Sequence, residues 1–591
     1  MDHDHIRNVA IIAHVDHGKT TLVDQLFKVS GMFHEKQAVA ERMMDSIDLE
    51  RERGITIASK NGSLQFGDHW INIIDTPGHA DFGGQVERVL KMADGALLLV
   101  DAQEGPMPQT YFVLKKALAL RLPIIVVINK IDKPAADPDR VLDEVFDLFV
   151  QLEAPDEILD FPVLYCSAKD GYAMEEPADN PQGMGLICKK IIAHMPPPVG
   201  DGEEPLQMLV SSIDYSPYLG RLGIGKITAG TLSINSDIVI ALRSGELKPA
   251  RITKIYRFTG SEKVAVEQAG VGEIVAVAGS ENVTVGVTYT DRDDPHPLPP
   301  VEIDPPTIAM TFIANDSPFA GRDGQYVTSR HIRDRLQKET LADVALQVEE
   351  LGEGNGYKVS GRGELHLSIL IETMRREGYE FQVSRPQVLF RQENGKILEP
   401  YERLTVDVAE AYMGSVIEKL GQRGGQLLEM ETKNEMARLL YKIPTRGLLG
   451  FRSQFLTDTK GRGVMNYVFD QYSEEAGEIK QRGTGALVAM NTCTTVAYAL
   501  FNLQERGKLF VGPGKDVYAG QIIGEHAREN DLTVNPAKGK KLSNVRAAGS
   551  DDNVILTAPV TMSLEDCINF INDDELVEVT PKAIRLRKAQ N

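Results

Sequence analysis

Residues 9–21 read Val9-Ala10-Ile11-Ile12-Ala13-His14-Val15-Asp16-His17-Gly18-Lys19-Thr20-Thr21, an apolar strand that runs into a loop and then into a helix start. Apart from Ala13 in place of its first glycine, the loop matches the pattern in which backbone N–H groups and a helix N-terminus cradle phosphates. Lys19 is expected to reach the β- and γ-phosphates, and Thr20 to bind Mg²⁺. The stretch predicts a nucleotide site in an α/β domain, with these contact residues: Asp16, His17, Gly18, Lys19, Thr20 and Thr21.

Two later segments carry groups that would respond to a γ-phosphate. Thr56, in the loop at residues 53–57, offers Mg²⁺ a second hydroxyl. Asp75 ends an apolar strand and suits an outer-shell Mg²⁺ role through a water, and the N–H of Gly78 can point at the γ-phosphate. Such contacts would order both loops, and hydrolysis would release them. The sequence therefore predicts a switch that binds and hydrolyses a nucleoside triphosphate.

The base is predicted from Asn129-Lys130-Ile131-Asp132, which follows another buried strand. A carboxylate at Asp132 can accept hydrogen bonds from N1–H and from the 2-amino group of guanine. Adenine has an acceptor at N1 and no 2-amino group, so it would leave that carboxylate unpaired. The backbone of Ser167-Ala168-Lys169, at the end of a later strand, can close over the base. The pattern predicts GTP rather than ATP.

Periodicity divides the 591 residues, too many for one hydrophobic core, into several predicted domains. Short, continuously apolar stretches are typical of strands buried on both faces of a parallel sheet. After Met195–Pro198, β-branched strands with glycine turns indicate a small β-barrel. A P-loop GTPase domain is expected at residues 1–200 and the barrel domain at residues 201–303. The apolar stretches are Val9–Ala13, Ile71–Asp75, Ala96–Asp101, Ile124–Asn129 and Val163–Ser167.

The order strand–helix–strand–strand–helix–strand, typical of ferredoxin-like α+β domains, then occurs twice. Helices are predicted at Ser329–Ala342 and Leu365–Gly378 in the first copy, and near Met413–Gly424 and Leu448–Gly461 in the second. Periodicity alone does not define the fold of the remainder. The expected boundaries are residues 304–390 and 396–478 for the two ferredoxin-like domains, and 479–591 for a distinct C-terminal domain.

The composition fits a cytoplasmic protein and argues against several other classes. No apolar run approaches the roughly 20 residues that cross a bilayer, and the N-terminus is acidic and polar, unlike a secretory signal. The four cysteines have neither metal-ligand nor disulfide spacing. A net charge of −21 argues against a protein that coats nucleic acid with its whole surface. Two stretches are nevertheless basic, residues 436–464 and residues 537–549.

The nucleotide motifs together resemble those of the translational GTPases, such as elongation factors Tu and G. The resemblance rests on His79, where Ras-like GTPases have glutamine. It implies that His79 is the catalytic residue that positions the attacking water. It also implies that a hydrophobic gate, formed by Val15 and Ile55, keeps the His79 side chain away from the attacking water.

The rest of the chain resembles elongation factor G without its tRNA-mimicking domain IV. Gly361–Leu367 looks like part of domain III and Glu399–Tyr401 like part of domain V, and only a short segment separates the two domains. Two families lack that arm, LepA and BipA (also called TypA). The segments that resemble BipA lie in the C-terminal domain: Phe510–Gly514, Tyr518–Glu525 and Asn535–Ala547.

This resemblance implies a GTPase that binds the large ribosomal subunit and the 70S ribosome, and that acts in large-subunit assembly and in translation under cold or other stress. It also implies that the C-terminal domain sits at the A site, near tRNA and rRNA. We expect a monomer. Contacts with RNA phosphates are expected from the cations of one C-terminal loop: Lys538, Lys540, Lys541 and Arg546.

Two alternatives stay open. One is a LepA-like GTPase that modulates elongation. The other is a GTP-dependent stress regulator or metabolic enzyme that does not act on ribosomes. The second would need another catalytic constellation beyond Gly200, and the sequence shows no paired carboxylates, Cys–His pair or metal-ligand cluster with persuasive spacing there.

Overall fold

The computed structural model divides into two compact units, residues 1–304 with 341–344 and residues 305–340 with 345–591. In the ranges that the structure describes, no helix is long and apolar enough to cross a membrane. All four cysteines are free thiols, and three of them are buried. The described residues are 3–14, 16–30, 52, 60–76, 83–216, 218–280, 283–299, 306–343, 345–352, 356–433, 435–461, 463–477, 479, 482–539 and 555–589.

The first unit begins with an α/β domain. Its elements are a 3₁₀ turn (His3–His5), β1 (Ile6–Ala13), α1 (Lys19–Val29), β2 (Lys60–Phe66), β3 (His69–Asp75), α2 (Gly83–Leu90), β4 (Gly95–Asp101), α3 (Pro108–Ala119), β5 (Ile124–Asn129), α4 (Pro138–Gln151), α5 (Asp156–Leu159), β6 (Val163–Ser167), β7 (Tyr172–Met174), β8 (Gln182–Gly183) and α6 (Gly185–His194).

The sheet of this domain has a parallel centre, as the apolar stretches predict. Strands β3, β1, β4, β5 and β6 are parallel neighbours in that order. Strand β2 is antiparallel at one edge, and β7 and β8 are antiparallel at the other. Because β1 lies between β3 and β4, the chain changes direction across the sheet there. Ligands bind outside the carboxyl ends of the strands at such a position.

The second domain of this unit is the predicted β-barrel, built from antiparallel pairs. The strands are β9 (Gln207–Leu209), β10 (Ser212–Ser216), β11 (Gly220–Ala229), β12 (Leu232–Ser233), β13 (Asp237–Ala241), β14 (Leu247–Arg251), β15 (Lys254–Thr259), β16 (Glu262–Val266), β17 (Gln268–Ala269), β18 (Ile274–Ala278) and β19 (Thr288–Asp291). The main sheet runs in the order β14-β13-β19-β9-β11-β18-β15-β16, with β10 beside β11.

The sequence does not predict strand β2, because its residues Lys-Asn-Gly-Ser-Leu-Gln-Phe include few apolar ones. The barrel explains why this polar segment is nevertheless buried. The N–H of Ser63 donates to the carbonyl of Gly260 at 3.0 Å, and the N–H of Gly260 donates to the carbonyl of Ser63 at 2.8 Å. Nearby, the Nζ of Lys226 in the barrel lies 2.8 Å from Oδ1 of Asp94 in the α/β domain. A tertiary contact therefore fixes β2, and no local apolar pattern reveals it.

Two ferredoxin-like domains follow, and both have the predicted element order. The first predicted helix is confirmed at its bounds, whereas the last, Leu448–Gly461, is interrupted where Gly450 adopts a φ of 71°. The elements are β20 (Ile308–Ala314), α7 (Ser329–Ala342), β21 (Gln347–Glu350), β22 (Tyr357–Gly361), α8 (Glu364–Arg376), β23 (Phe381–Val383), β24 (Gln387–Val388), β25 (Arg391–Glu393), β26 (Lys396–Ala409), α9 (Glu410–Gln422), β27 (Gln426–Lys433), β28 (Met436–Pro444), α10 (Thr445–Leu448), α11 (Phe451–Asp458) and β29 (Val464–Glu474).

The C-terminal domain continues the sheet of the first ferredoxin-like domain. The shared sheet runs in the order β21-β22-β20-β23 and then, through the antiparallel pair Phe381–Val383 with Val577–Val579, into the C-terminal strands. Those elements are β30 (Ala486–Ala489), β31 (Cys493–Thr494), α12 (Ala497–Leu503), β32 (Gly507–Leu509), β33 (Asp516–Val517), β34 (Gln521–His526), β35 (Leu532–Val534), α13 (Leu564–Phe570), β36 (Glu575–Val579) and β37 (Ile584–Lys588).

A buried carboxylate strengthens this junction. The side chain of Glu578 accepts hydrogen bonds from Asn315 Nδ2 at 2.9 Å, Ser317 Oγ at 2.8 Å and the hydroxyl of Tyr518 at 2.5 Å. Arg585 Nη1 donates to the same carboxylate at 3.2 Å. Burial, and next the charge of Glu578, raise the pKa of the Tyr518 hydroxyl. Four donors from three chain segments therefore converge on the carboxylate of Glu578.

The substitution Glu578→Ala is expected to lower the free energy of unfolding of this unit by roughly 2–3 kcal/mol, because it leaves buried donors unpaired. Urea titration followed by circular dichroism measures the change. Glu505→Ala, at an exposed position of the same domain, is the control and should change stability little. Equal unfolding midpoints for the two variants would show that the buried network does not stabilise the junction.

Candidate nucleotide-binding site

The structure brings the described nucleotide residues to the carboxyl edge of the parallel sheet. Residues 16–21 follow β1 and begin α1, and Asp75 ends β3. Residues 129–132 lie at the end of β5, and residues 167–169 at the end of β6. Four strand ends thus meet at one site. The other predicted residues lie outside the described part of the chain: Val15, Ile55, Thr56, Gly78, His79, Lys540, Lys541 and Arg546.

The loop after β1 has the backbone shape of an anion cradle. Asp16 has a φ of 63° and Gly18 a φ of 96°, both in the left-handed region. Gly18 is the N-cap of α1 and supplies no side-chain acceptor. Lys19 Nζ lies 2.7 Å from Asp75 Oδ1 and donates to the carbonyl of Thr76 at 2.6 Å. The lysine ammonium is therefore held at the cradle by groups at the end of β3.

The side chain of Asn129 connects the phosphate loop to the strand ends beside it. Its Nδ2 donates to the carbonyl of His17 at 2.9 Å. Its Oδ1 accepts from the N–H of Ala168 at 3.0 Å and from the thiol of Cys166 at 3.3 Å. Burial raises the pKa of that thiol to about 12, so Cys166 stays protonated and can donate. Asn129 therefore organises the site through contacts within the protein.

This bridge explains the glycine of the phosphate loop. A Cβ at position 18 would lie 2.5 Å from Nδ2 of Asn129, closer than nonbonded atoms approach. The φ of 96° is also unfavourable for a residue with a side chain. Close approach and backbone conformation thus both require Gly18.

A second set of contacts reaches the same loop from β4. The buried ring of His17 accepts the N–H of Asp101 at Nδ1, at 3.3 Å, and its Nε2 lies 3.6 Å from Oε2 of Glu104. The nearby ring of His17 is the largest influence on the pKa of Glu104 and lowers it. Asp101 Oδ2 lies 2.8 Å from Lys130 Nζ and 3.1 Å from Lys133 Nζ. The chain segment at the end of β4 therefore supports both the phosphate loop and Lys130.

The base-recognition side of the site is ordered by its own turn. Ser167 Oγ donates to Asp170 Oδ2 at 2.8 Å, and the N–H of Asp170 donates back to Ser167 Oγ at 3.2 Å. Asp132 is exposed after β5. Burial, and next the charge of Asp132, raise the pKa of Tyr172. Asp132 therefore lies close enough to this turn for its charge to influence the Tyr172 hydroxyl.

The oxygen groups present fit a magnesium ion that is shared with phosphates. Thr20 supplies a hydroxyl at the start of α1, and Asp75, which pairs with the neighbouring Lys19, supplies a carboxylate. Mg²⁺ is usually bound by few protein oxygens together with substrate phosphates. Among the described residues, no group of three or more His, Cys, Asp or Glu side chains could hold a metal ion by itself. One hydroxyl and one carboxylate fit a metal ion whose other ligands come from a nucleotide and water.

Sequence reasoning missed three residues of the site, Asp101, Glu104 and Lys133. The available signal was the acidic residue directly after the apolar run of β4, since carboxyl ends of parallel strands converge. The positions of the two lysines around Asp101 could not be inferred, because they depend on how the chain turns after β5.

Three described cations of the two basic stretches have different surroundings in the structure. In residues 436–464, Arg446 Nε lies 2.5 Å from the buried carboxylate of Glu399, and Arg438 Nε lies 2.7 Å from Asp407 Oδ1. These cations are therefore occupied by acids of the same domain. Lys538, by contrast, is exposed and has no ion pair with any acid that the structure describes.

Family models cover most of the chain. A model described as the Elongation factor Tu GTP binding domain matches residues 4–214, and one described as Elongation factor Tu domain 2 matches residues 220–290. The model of the Elongation factor G C-terminus matches residues 396–483. The TypA/BipA C-terminal domain model matches residues 484–591.

Curated relatives match over nearly the whole length. Proteins of Salmonella typhimurium and Bacillus subtilis named large ribosomal subunit assembly factor BipA are 51% and 50% identical, over 99% of this chain and 97% and 96% of their own. A protein of the same name from Synechocystis is 51% identical, over 99% of this chain and 98% of its own. A crystal structure from Thermus thermophilus shares the fold, with a TM-score of 0.56 and 18% identity over 80% of this chain and 97% of its own.

Gly18→Ala is expected to weaken GDP binding by about a hundredfold, because the added methyl group displaces Asn129 and distorts the cradle. Equilibrium titration with a fluorescent GDP measures the affinity. Gly67→Ala is the matched control: its φ of 59° is also left-handed, but no atom lies within 4 Å of an added Cβ. Equal GDP affinities for the two variants would contradict the bridge through Asn129.

Proposed function

Because the chain belongs to the BipA family of translational GTPases, we propose that it binds the ribosome and uses GTP hydrolysis in assembly of the large subunit. The observation that carries this proposal is the match to relatives named as large-subunit assembly factors over 99% of the chain. A GTPase domain alone would not lead to the ribosome, since one fold serves many functions. The match also includes the family-specific domain at residues 484–591.

The proposed nucleotide contacts combine the sequence motifs with the geometry of the cradle, which supports them. Lys19 exchanges Asp75 for the β- and γ-phosphates, and the main-chain N–H groups around Gly18 bind the phosphate oxygens. Thr20 would hold Mg²⁺ directly, Asp75 would hold it through a water, and Thr56 would add a hydroxyl when a γ-phosphate is present. The ion would neutralise phosphate charge. Asp132 selects guanine, and the backbone at residues 167–169 covers the base.

Neither alternative function gains support. The match of residues 484–591 to the TypA/BipA model disfavours a LepA-like factor. A metabolic enzyme would need a second reactive site, and the described residues contain no further metal-ligand cluster. A role in cold or stress adaptation, a position beside A-site tRNA, a monomeric state and a cytoplasmic location stay predictions.

His79→Ala is expected to lower the ribosome-stimulated GTPase rate by about a hundredfold or more, because the variant cannot orient the attacking water. GDP affinity should change little, since His79 is proposed to act on the water and not on the bound base or phosphates. The measurement is phosphate release with and without purified 70S ribosomes and large subunits. His194→Ala, at an exposed helix end of the same domain, is the control. A rate that ribosomes do not stimulate would contradict the proposed function.

Replacing Lys538, Lys540, Lys541 and Arg546 together by alanine is expected to weaken ribosome binding and to flatten its salt dependence. Each lost phosphate contact removes roughly 0.7–0.9 from the slope of log affinity against log salt. The control replaces four exposed cations of the same domain, Arg506, Lys508, Lys515 and Arg528, and so keeps the net charge equal. Binding to ribosomes across a potassium chloride series measures both. Identical slopes for the two variants would exclude the loop as the contact.

A further inference from the structure

Asp101 is a buried carboxylate that the proposed nucleotide contacts do not use. It ends β4, and its side chain has 0% exposure. Its Oδ2 lies between the ammonium groups of Lys130 and Lys133, at 2.8 and 3.1 Å. Its Oδ1 accepts the N–H of Gln103 at 2.7 Å. A buried carboxylate is costly unless it is paired and hydrogen-bonded, and here both oxygens are.

These contacts lead from Asp101 to the phosphate loop by two routes. Lys130 Nζ, which Asp101 holds, also donates to the carbonyl of Asp16. The main-chain N–H of Asp101 donates to the ring of His17 at 3.3 Å. Asp16 and His17 directly precede Gly18, and the φ of 63° at Asp16 is unfavourable for a residue other than glycine. The loop conformation thus depends on contacts with other segments, and both contacts named here involve Asp101, one through Lys130 and one through its own N–H.

We propose that Asp101 is a positioning residue for the guanine nucleotide: its carboxylate holds Lys130 against the Asp16 carbonyl and so keeps the phosphate loop in the shape that retains bound nucleotide. The proposal rests on the nucleotide site described above and adds a residue that touches neither base nor phosphate in it.

The charge state of Asp101 suits this role. Burial alone would raise the pKa of its carboxyl. Hydrogen bonds from Lys130, the N–H of Gln103 and Lys133 together outweigh burial and lower the pKa to about 2. The pKa therefore lies below the ordinary value of 3.8. The ionised carboxylate stabilises the folded state fully above pH 3.8, and this stabilisation is lost only as the pH falls toward 2. Both lysines keep a charged partner at neutral pH.

Removing this charge has two opposite physical effects, which makes the test decisive. Without the carboxylate, two ammonium groups near the cradle lose their counter-charge, and a purely electrostatic role predicts that phosphates bind more tightly. If the carboxylate positions Lys130, its loss frees the lysine and relaxes the loop, and nucleotide leaves faster. The direction of the change in the release rate therefore distinguishes the two roles.

The experiment uses the full chain without ribosomes. Protein loaded with N-methylanthraniloyl-GDP is mixed with excess unlabelled GDP, and the loss of fluorescence gives the release rate. Asp101→Asn, which keeps the shape of the side chain and removes its charge, should release GDP about tenfold faster or more. Asp101→Glu keeps the charge but displaces the oxygen that holds Lys130, so its rate should lie between those of wild type and Asp101→Asn.

Asp94→Asn is the matched control, because it removes a carboxylate of the same domain that also binds a lysine, Lys226, at 2.8 Å. It is expected to lower thermal stability and to leave GDP release unchanged. Unchanged or slower release from Asp101→Asn would overturn the positioning role while the nucleotide site stands. If Asp101→Asn does not fold, wild-type release from Asp101→Glu would overturn it. A wild-type chain that does not bind the labelled GDP would overturn the nucleotide site itself.

Discussion

The amide of Asn129, at the end of β5, is a buried polar group that must find all its partners inside the protein, and two other chain segments supply them. It is 1% exposed, and it bonds the carbonyl of His17, the N–H of Ala168 and the thiol of Cys166. An unmade bond here would cost about 1–3 kcal/mol, because water cannot replace it. The three segments are therefore held in one relative arrangement before any ligand arrives. A site that is ordered in advance loses less entropy on binding.

The sheet makes this arrangement possible. Parallel strands place their carboxyl ends along one edge, so residues far apart in sequence, such as Asp75 and Asn129, come to lie around one loop. Their burial on both faces leaves little freedom for the strand ends to shift. Asp101 uses the same edge, at the end of the strand between β1 and β5. A site that needs several charges within a few ångströms is thus assembled from strand ends, each of which contributes one or two side chains.

The sequence predicted those parts of the fold that depend on local periodicity. Strand β5 and helix α7 have the predicted bounds, because an apolar run and a 3.6-residue period each identify one kind of element. It did not predict β2, a mostly polar strand that pairs with β3 and meets the barrel at Ser63, or the break in the last helix at Gly450. Within the site, motif residues were found by spacing, but Asp101 and Lys133 were missed, since ion pairs join positions that have no fixed separation. Arg438 and Arg446 show the same difficulty, because the acids that pair with them lie elsewhere in the sequence.

The shared sheet of the C-terminal domain has a consequence for how the chain folds. Residues 381–383 form one edge of the first ferredoxin-like sheet until residues 577–579 pair with them. Because synthesis proceeds from the N-terminus, that edge and the hydroxyl of Ser317 have no partner until almost all later residues have emerged. An unpaired strand edge can bind the wrong partner during this time. The second ferredoxin-like domain, whose strand pairs all lie between residues 391 and 474, can meanwhile complete its own sheet. Domain order in the chain and order of folding therefore differ: the first ferredoxin-like domain is made earlier and finished later.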